Sequence, residues 1–179
     1  MGDYDALVTW DYGQGHCYVS EPFPADKDNF LAVYAFQIKT ETFEDTEGEP
    51  ILMFSDDSGH YILRIFVQDN SGSLKLNVRY HNGTDETFAG AGSTTISLNT
   101  WYMLTVDWQR NTSFEVKMGT IGGSLTSQAS SVTVADYPGR WARPGSMASG
   151  YLNAEAGDAM TFEFDNLVVD DDTLHSLCQ

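Results

Sequence analysis

Positive charge is scarce in this chain. Nine Lys and Arg stand against 26 Asp and Glu in 179 residues, a formal charge of −17. Nucleic-acid affinity rests on Lys and Arg at phosphates, so no nucleic-acid partner is expected. Anionic membrane surfaces are disfavoured for the same reason. No apolar run approaches the roughly 20 residues that cross a bilayer, so membrane insertion is not expected either. A signal peptide is missing: Met1-Gly2 runs into acids, and Ala6 breaks the myristoylation pattern. That opening reads as a start codon joined to an excised domain. Catalytic signatures are missing too, with no Gly-rich phosphate loop, no G-x-S-x-G and no H-E-x-x-H. Cysteine is limited to Cys17 and Cys178, too few for a structural zinc site. They are either two free thiols or one bridge, which the chain-entropy model values at about 5 kcal/mol for so long a loop.

Amphipathic helices and internal repeats are absent as well, and what remains is strand pattern. In Tyr61–His81, Tyr61, Leu63, Ile65 and Val67 alternate in phase, as do Leu74, Leu76, Val78 and Tyr80. Period two marks half-buried strands. Asp69-Asn70-Ser71-Gly72 between them accepts a turn. The expected hairpin sets Val67 opposite Leu74, Leu63 opposite Val78 and Tyr61 opposite Tyr80. Its other face then carries Ile62, Arg64, Phe66 and Gln68 against Lys75, Asn77, Arg79 and His81.

Further strands are expected at 6–10, 16–20, 30–39, 51–55, 94–98, 101–109, 114–118, 147–151 and 160–169. Phe30–Lys39 is apolar on both faces, as suits a central strand. In 101–109, Tyr102, Leu104, Val106 and Trp108 should face the core, with Met103, Thr105 and Asp107 turned away. Pro22 and Pro24 make 21–29 a loop. Residues 40–50, with five acids in eleven residues, read as an exposed loop. About a dozen short strands spaced by turn signals predict an all-β, two-sheet antiparallel sandwich in one domain spanning 1–179.

The segment NTWYMLTVDWQ leading to FEVKM, and the closing MTFEFDNLVV, resemble the concanavalin A-like lectin/glucanase superfamily, including laminin-G-like domains. Residues 101–109 and 161–169 carry the likeness. It implies a jelly roll whose first and last strands are neighbours, and hence a disulfide between Cys17 and Cys178 with Cα atoms within roughly 7 Å. It also implies one structural Ca2+, with Asp165 joining backbone carbonyls from near the N-terminus as ligands. The acid-rich 44–49 loop and Asp56-Asp57 are the alternative cation sites.

The enzymes of the superfamily set two tests. Glycosidases carry E-x-D-x-x-E or E-x-D-x-E on one strand; Glu163 and Asp165 supply two acids, but Leu167 and Val168 stand where the third belongs. Alginate lyases need Gln-x-His, an Arg strand and Tyr-x-Lys-x-Gly-x-Tyr. Gln37-Ile38-Lys39 lacks the His, and 151–157 has Asn153 in place of the Lys. The expectation is therefore a secreted or extracellular, non-catalytic, lectin-like module that binds a glycan. The alternatives are a protein-interaction or adhesion domain without a sugar site, and an alginate-lyase-like lyase using Arg64, His81 and Tyr151. The expected glycan surface is the outer hairpin face: Arg64, Phe66, Lys75, Asn77, Arg79 and His81. Arg pairs with carboxylates through two parallel hydrogen bonds, so an acidic polysaccharide is expected first, with Phe66 under a sugar ring.

Overall fold

The computed structural model of the protein describes residues 6–12, 17–131, 133–146 and 152–170. Among these there is no helix, and thirteen strands follow in order. They are β1 (Ala6–Asp11), β2 (Cys17–Tyr18), β3 (Glu21–Lys27), β4 (Asn29–Glu41), β5 (Gly48–Ser55), β6 (Tyr61–Asp69) and β7 (Leu74–His81). The rest are β8 (Glu86–Ala91), β9 (Trp101–Gln109), β10 (Ser113–Thr120), β11 (Thr126–Ser131), β12 (Gly139–Ser146) and β13 (Ala159–Asp170). One sheet runs β1-β13-β4-β9-β10-β11. The other runs β2-β12-β5-β6-β7-β8, with β3 also pairing β12. Both are antiparallel, and the result is the expected sandwich.

Alternation builds the first sheet. Tyr102, Leu104, Val106 and Trp108 are all buried in the core, as expected for β9. Trp108 stacks between Phe30 and Phe114, with ring centroids 6.4 and 6.3 Å away. β4 is central, between β13 and β9, and β1 pairs β13 with Ala6 opposite Phe164. The second sheet supplies Leu52, Phe54, Leu63, Ile65, Val67, Leu74, Leu76 and Val78 to the same core. Phe30 meets Phe54 across the layers at 4.8 Å, and the buried Tyr34 hydroxyl donates to Ile51 O at 3.2 Å.

The β6–β7 hairpin forms with a different register from the one expected. Leu63 faces Tyr80, Ile65 faces Val78, Val67 faces Leu76 and Asp69 faces Leu74. The shift is two residues, so every side chain beyond Leu63 keeps its face while its partner changes. Asp69 takes the last paired position because its Oδ1 caps the turn, accepting from Gly72 N at 2.8 Å. Ser71 and Gly72 then supply φ of 55° and 79°.

Three other expectations are corrected. The 21–29 segment is largely strand despite its prolines: β3 pairs only β12, and an edge strand has one side where missing N–H groups cost nothing. The 40–50 stretch is not an exposed loop throughout, because Phe43, Glu47, Gly48, Glu49 and Pro50 are buried. Residues 94–98 form no strand, although Ile96 is buried and its N–H donates to Leu74 O at 2.8 Å. β8 and β11 are edge strands whose Glu-, Thr-, Ser- and Gly-rich sequences show no apolar alternation. Residues 147–151 lie outside the described part.

Candidate functional site

The outer face of the second sheet gathers four of the nine basic side chains of this acidic chain, Arg64, Lys75, Arg79 and Arg143. Directly paired residues of antiparallel strands share a face. Arg143 of β12 pairs with Met53, Met53 with Arg64, Arg64 with Arg79, and Arg79 with Phe88. A single row across five strands therefore holds three of the chain's five arginines. Neighbouring strands are about 4.8 Å apart, which places Arg143 and Arg64 roughly 10 Å from each other.

A second row lies alongside, with Trp141 opposite Ser55 and Ser55 opposite Tyr61. Tyr61 was expected on the core face. A bulge corrects this: Phe54 pairs Leu63 but Ser55 pairs Tyr61, so Ile62 is the extra residue and the face changes beneath it. Ile62 and Leu63 are both fully buried, and the Tyr61 ring lies 5.0 Å from Arg64 Cζ.

The floor of the face is apolar. Met53 and Phe66 are fully buried although they point away from the core. Phe66 is thus no open platform for a sugar ring, and that expectation is corrected. The guanidiniums of Arg64 and Arg79 cover it, at 5.2 and 5.8 Å from the ring. This holds both cations over an electron-rich face.

The cations differ in how far they are neutralised. Arg64 is clamped by both carboxylate oxygens of Glu86, and Arg79 Nη1 stands 3.7 Å from the same group. The expected patch contained no acid, because Glu86 arrives on β8, a strand the sequence does not announce. Arg143 is held instead by neutral groups, donating from Nη1 to Ser55 Oγ at 2.7 Å and from Nε to Ser20 Oγ at 3.3 Å. It has no carboxylate partner among the described residues, and it lies 5.6 Å from the Trp141 ring. Trp141 in turn donates from Nε1 to Asp57 Oδ1 at 2.8 Å.

Beside Arg79 the face deepens into a pocket of about 410 Å3, lined by Thr46, Gln68, Asp69, Asn70, Asn77, Arg79, Phe88 and Ala91. Asn77 donates from Nδ2 to Gln68 Oε1 at 2.7 Å, and Gln68 Nε2 donates to Thr46 O at 2.7 Å. Lys75 stands opposite Gln68 on the same face but outside the pocket lining. His81 ends the β7 row opposite Glu86, with Nδ1 accepting from Gly83 N at 3.0 Å. Its ring is 6.2 Å from His60 and 5.1 Å from Tyr137, which stacks on His60 at 4.4 Å. Asp56 Oδ2 holds His60 Nδ1 at 2.7 Å.

The other expected site residues lie elsewhere. Gln37, Glu163 and Asp165 are in the opposite sheet, where Glu163 pairs Lys39 at 2.9 Å. Among the described residues no group of three or more Asp, Glu, His or Cys side chains could hold a metal. Cys17 begins β2, while Cys178 and Tyr151 are outside the described part.

Arg143, Tyr61, Glu86 and Phe88 were missed as site residues, and Trp141 was expected only as a fallback, in a loop. A signal existed for Trp141 and Arg143: Trp141-Ala142-Arg143-Pro144-Gly145-Ser146-Met147 has the spacing of Tyr-x-Lys-x-Gly-x-Tyr, with an aromatic, a cation and the glycine in place. Gly145 adopts φ 120°, which favours glycine.

The sequence matches no protein-family model and no curated protein. Solved structures do match in fold. An endo-β-1,4-glucuronan lyase from the fungus Trichoderma reesei superposes with a TM-score of 0.63 at 15% identity, over 94% of this chain and 80% of that one. An alginate lyase from Klebsiella pneumoniae gives 0.60 at 10% identity, over 81% of this chain and 60% of that one. A functionally unknown protein from Saccharomyces cerevisiae gives 0.59 at 11%, over 94% and 88%. The fold is thus the concanavalin A-like jelly roll. The expectation of a non-enzymatic module is corrected by these neighbours. It rested on testing the lyase pattern at 37–39, in the first sheet, and at 151–157, whereas a similar spacing also runs through β12.

Proposed function

We propose that this chain is a polysaccharide lyase acting on an acidic, uronate-containing polymer, bound on the outer face of the second sheet across the arginine row. The observation that carries the reading is the placement of Arg143, Arg64 and Arg79 in one line in a chain of charge −17. Glu86 already occupies Arg64 and partly Arg79, so Arg143, held only by Ser55 and Ser20, is the arginine of the line left to meet a polymer carboxylate. Similarity in fold to a glucuronan lyase and an alginate lyase supports the same substrate class. Uronate polymers of this kind are extracellular, which accords with a secreted protein.

β-Elimination needs three actions. A uronate carboxylate must be neutralised, so that the adjacent C5–H becomes acidic. A base takes that proton, and its electron pair forms the C4–C5 double bond. The C4–O bond then breaks, and the leaving oxygen takes a proton from an acid. Arg143 suits the first task, because its guanidinium is half-buried beside Trp141 and is not already paired with a carboxylate among the described residues. Tyr61, beside Arg64 on the adjoining row, has a phenol that can take and return a proton; His81 offers an imidazole on the same face.

The purified protein is tested on 1,4-linked polyglucuronate, polymannuronate and polyguluronate. The expected result is ultraviolet absorbance from the new double bond conjugated to the carboxylate. Arg143→Ala should lower kcat/KM by roughly 100-fold, the loss expected for one charge-stabilising group. New reducing ends without the absorbance would mean hydrolysis. Neither product on any polyuronate would remove the lyase reading.

A further inference from the structure

The turn between β7 and β8 carries the chain's one Asn-Gly pair, Asn82-Gly83. Asn82, Gly83, Thr84 and Asp85 are all exposed. Such a pair is open to attack by the backbone on its own side chain, because glycine has no Cβ to obstruct the approach of its nitrogen. Gly83 sits at φ 103°, and nothing lies within 4 Å of where a Cβ would stand.

The hydrogen bonds of the turn fall on the atoms that this attack uses. Gly83 N donates to His81 Nδ1 at 3.0 Å, so Nδ1 carries a lone pair and is placed to take the amide proton. Asn82 Oδ1 accepts from two backbone groups, Thr84 N at 2.9 Å and Asp85 N at 3.0 Å. Two N–H donors on one carbonyl oxygen stabilise the negative charge that an attack on that carbonyl develops. Asn82 Nδ2 donates to Thr87 Oγ1 at 2.9 Å, which sets a hydroxyl beside the nitrogen that must leave.

From these contacts we propose that Asn82 is a self-modifying site, where the folded turn promotes loss of the side-chain amide. His81 Nδ1 takes the Gly83 N–H proton, and the electron pair left on nitrogen forms a bond to Asn82 Cγ. The carbonyl electron pair moves onto Oδ1, held by the Thr84 and Asp85 N–H groups. Its return breaks the Cγ–Nδ2 bond. Nδ2 leaves as ammonia after gaining one proton from solvent through Thr87 Oγ1, and His81 returns its own proton to solvent. Water then opens the five-membered imide at either carbonyl, giving aspartate or isoaspartate at position 82. Either acid adds negative charge beside His81 and Glu86, at the end of the face that holds Arg64 and Arg79. The modification does not depend on the chain cleaving a polymer.

An unfolded chain keeps the Asn-Gly pair but has neither the base nor the two N–H donors in place. Folding should therefore speed the reaction rather than suppress it. Freshly purified full chain from a bacterial host is incubated at neutral pH, folded and in urea, and peptide mass mapping follows acid and isoaspartate at position 82. The folded chain should react roughly tenfold faster than the chain in urea, well within what one placed base supplies. His81→Ala should remove most of that excess, and added imidazole should restore part of it, which a merely structural role for His81 would not allow. A folded rate equal to or below the rate in urea overturns the proposal, and the wild type alone decides this. A folded His81→Ala chain that reacts as fast as the wild type overturns it as well.

Discussion

At the scale of single residues, the least expected feature is how much the outer face buries. Met53 and Phe66 are as inaccessible as core residues, and the side chains of Arg64 and Arg79 lie over Phe66. Arginine acts here both as charge and as roof, since its stem and planar head shield apolar surface. On the core side, Trp108 is fully buried with Nε1 unpaired among the described residues. Trp108→Ala should therefore cost about 3–5 kcal/mol through the cavity it leaves. Trp108→Phe removes the unpaired donor while keeping most of the contact with Phe30 and Phe114. It should cost less than half as much by chemical denaturation. Equal losses in the two variants would mean that Nε1 has a partner.

At the scale of elements, β5 shows how a strand can be specified by what it must not contain. Gly48 opens it, opposite Gln68, and a Cβ there would lie 2.4 Å from Val67 O and 2.8 Å from Gln68 Cα. Those are backbone atoms and cannot swing aside. Gly48 also exchanges backbone hydrogen bonds with Leu152, at 3.0 and 2.8 Å. Gly48→Ala should force β5 and β6 apart at the pocket end and destabilise the protein by about 1–3 kcal/mol, the usual range for overpacking. A melting temperature within a degree of the wild type would show that the strand ends give way freely. The same element explains a failure of pattern reading. An acid-rich stretch looks solvated, yet Glu47 is buried because its carboxylate accepts the Glu44 N–H and closes a turn.

At the scale of the whole molecule, net charge and buried carboxylates act in the same direction. Burial raises Glu47 above its ordinary value of 4.5, and nearby Asp158, Glu155 and Glu44 add to this against the Glu44 N–H bond. Glu41 is raised chiefly by burial too. A carboxylate whose folded pKa exceeds its unfolded one binds protons more readily when folded. Stability then falls as pH rises from about 4.5 through the folded value. Glu115, lowered by Lys117, works oppositely, and its contribution is lost only below the window where Glu41 and Glu47 titrate. Acidification also relieves the self-repulsion of a −17 chain. The melting temperature should accordingly rise from pH 7 toward about pH 5. Glu47→Gln should melt higher than the wild type at pH 7, with the gap closing near pH 4. A flat profile in the wild type would show that these carboxylates are solvated.

What the chain determined by itself was local. Alternation in 63–67, 74–80 and 101–108 decided which side chains face inward, because period two admits only two answers and burying the wrong set is prohibitive. The spacing of turns decided that two sheets would form. The site was only half readable for a physical reason: its row runs across strands that are far apart in sequence. Arg64 and Arg79 could be placed together because one hairpin joins them. Arg143 reaches the same line only through β12 docking on β5, and Glu86 only through an edge strand without apolar pattern. The hairpin's partners moved by two residues because Asp69 capped the turn, and Tyr61 changed face because a single residue bulged. Neither event leaves a mark in hydrophobic periodicity. Tertiary pairing decided them, and with them which arginine is left without a carboxylate partner among the described residues.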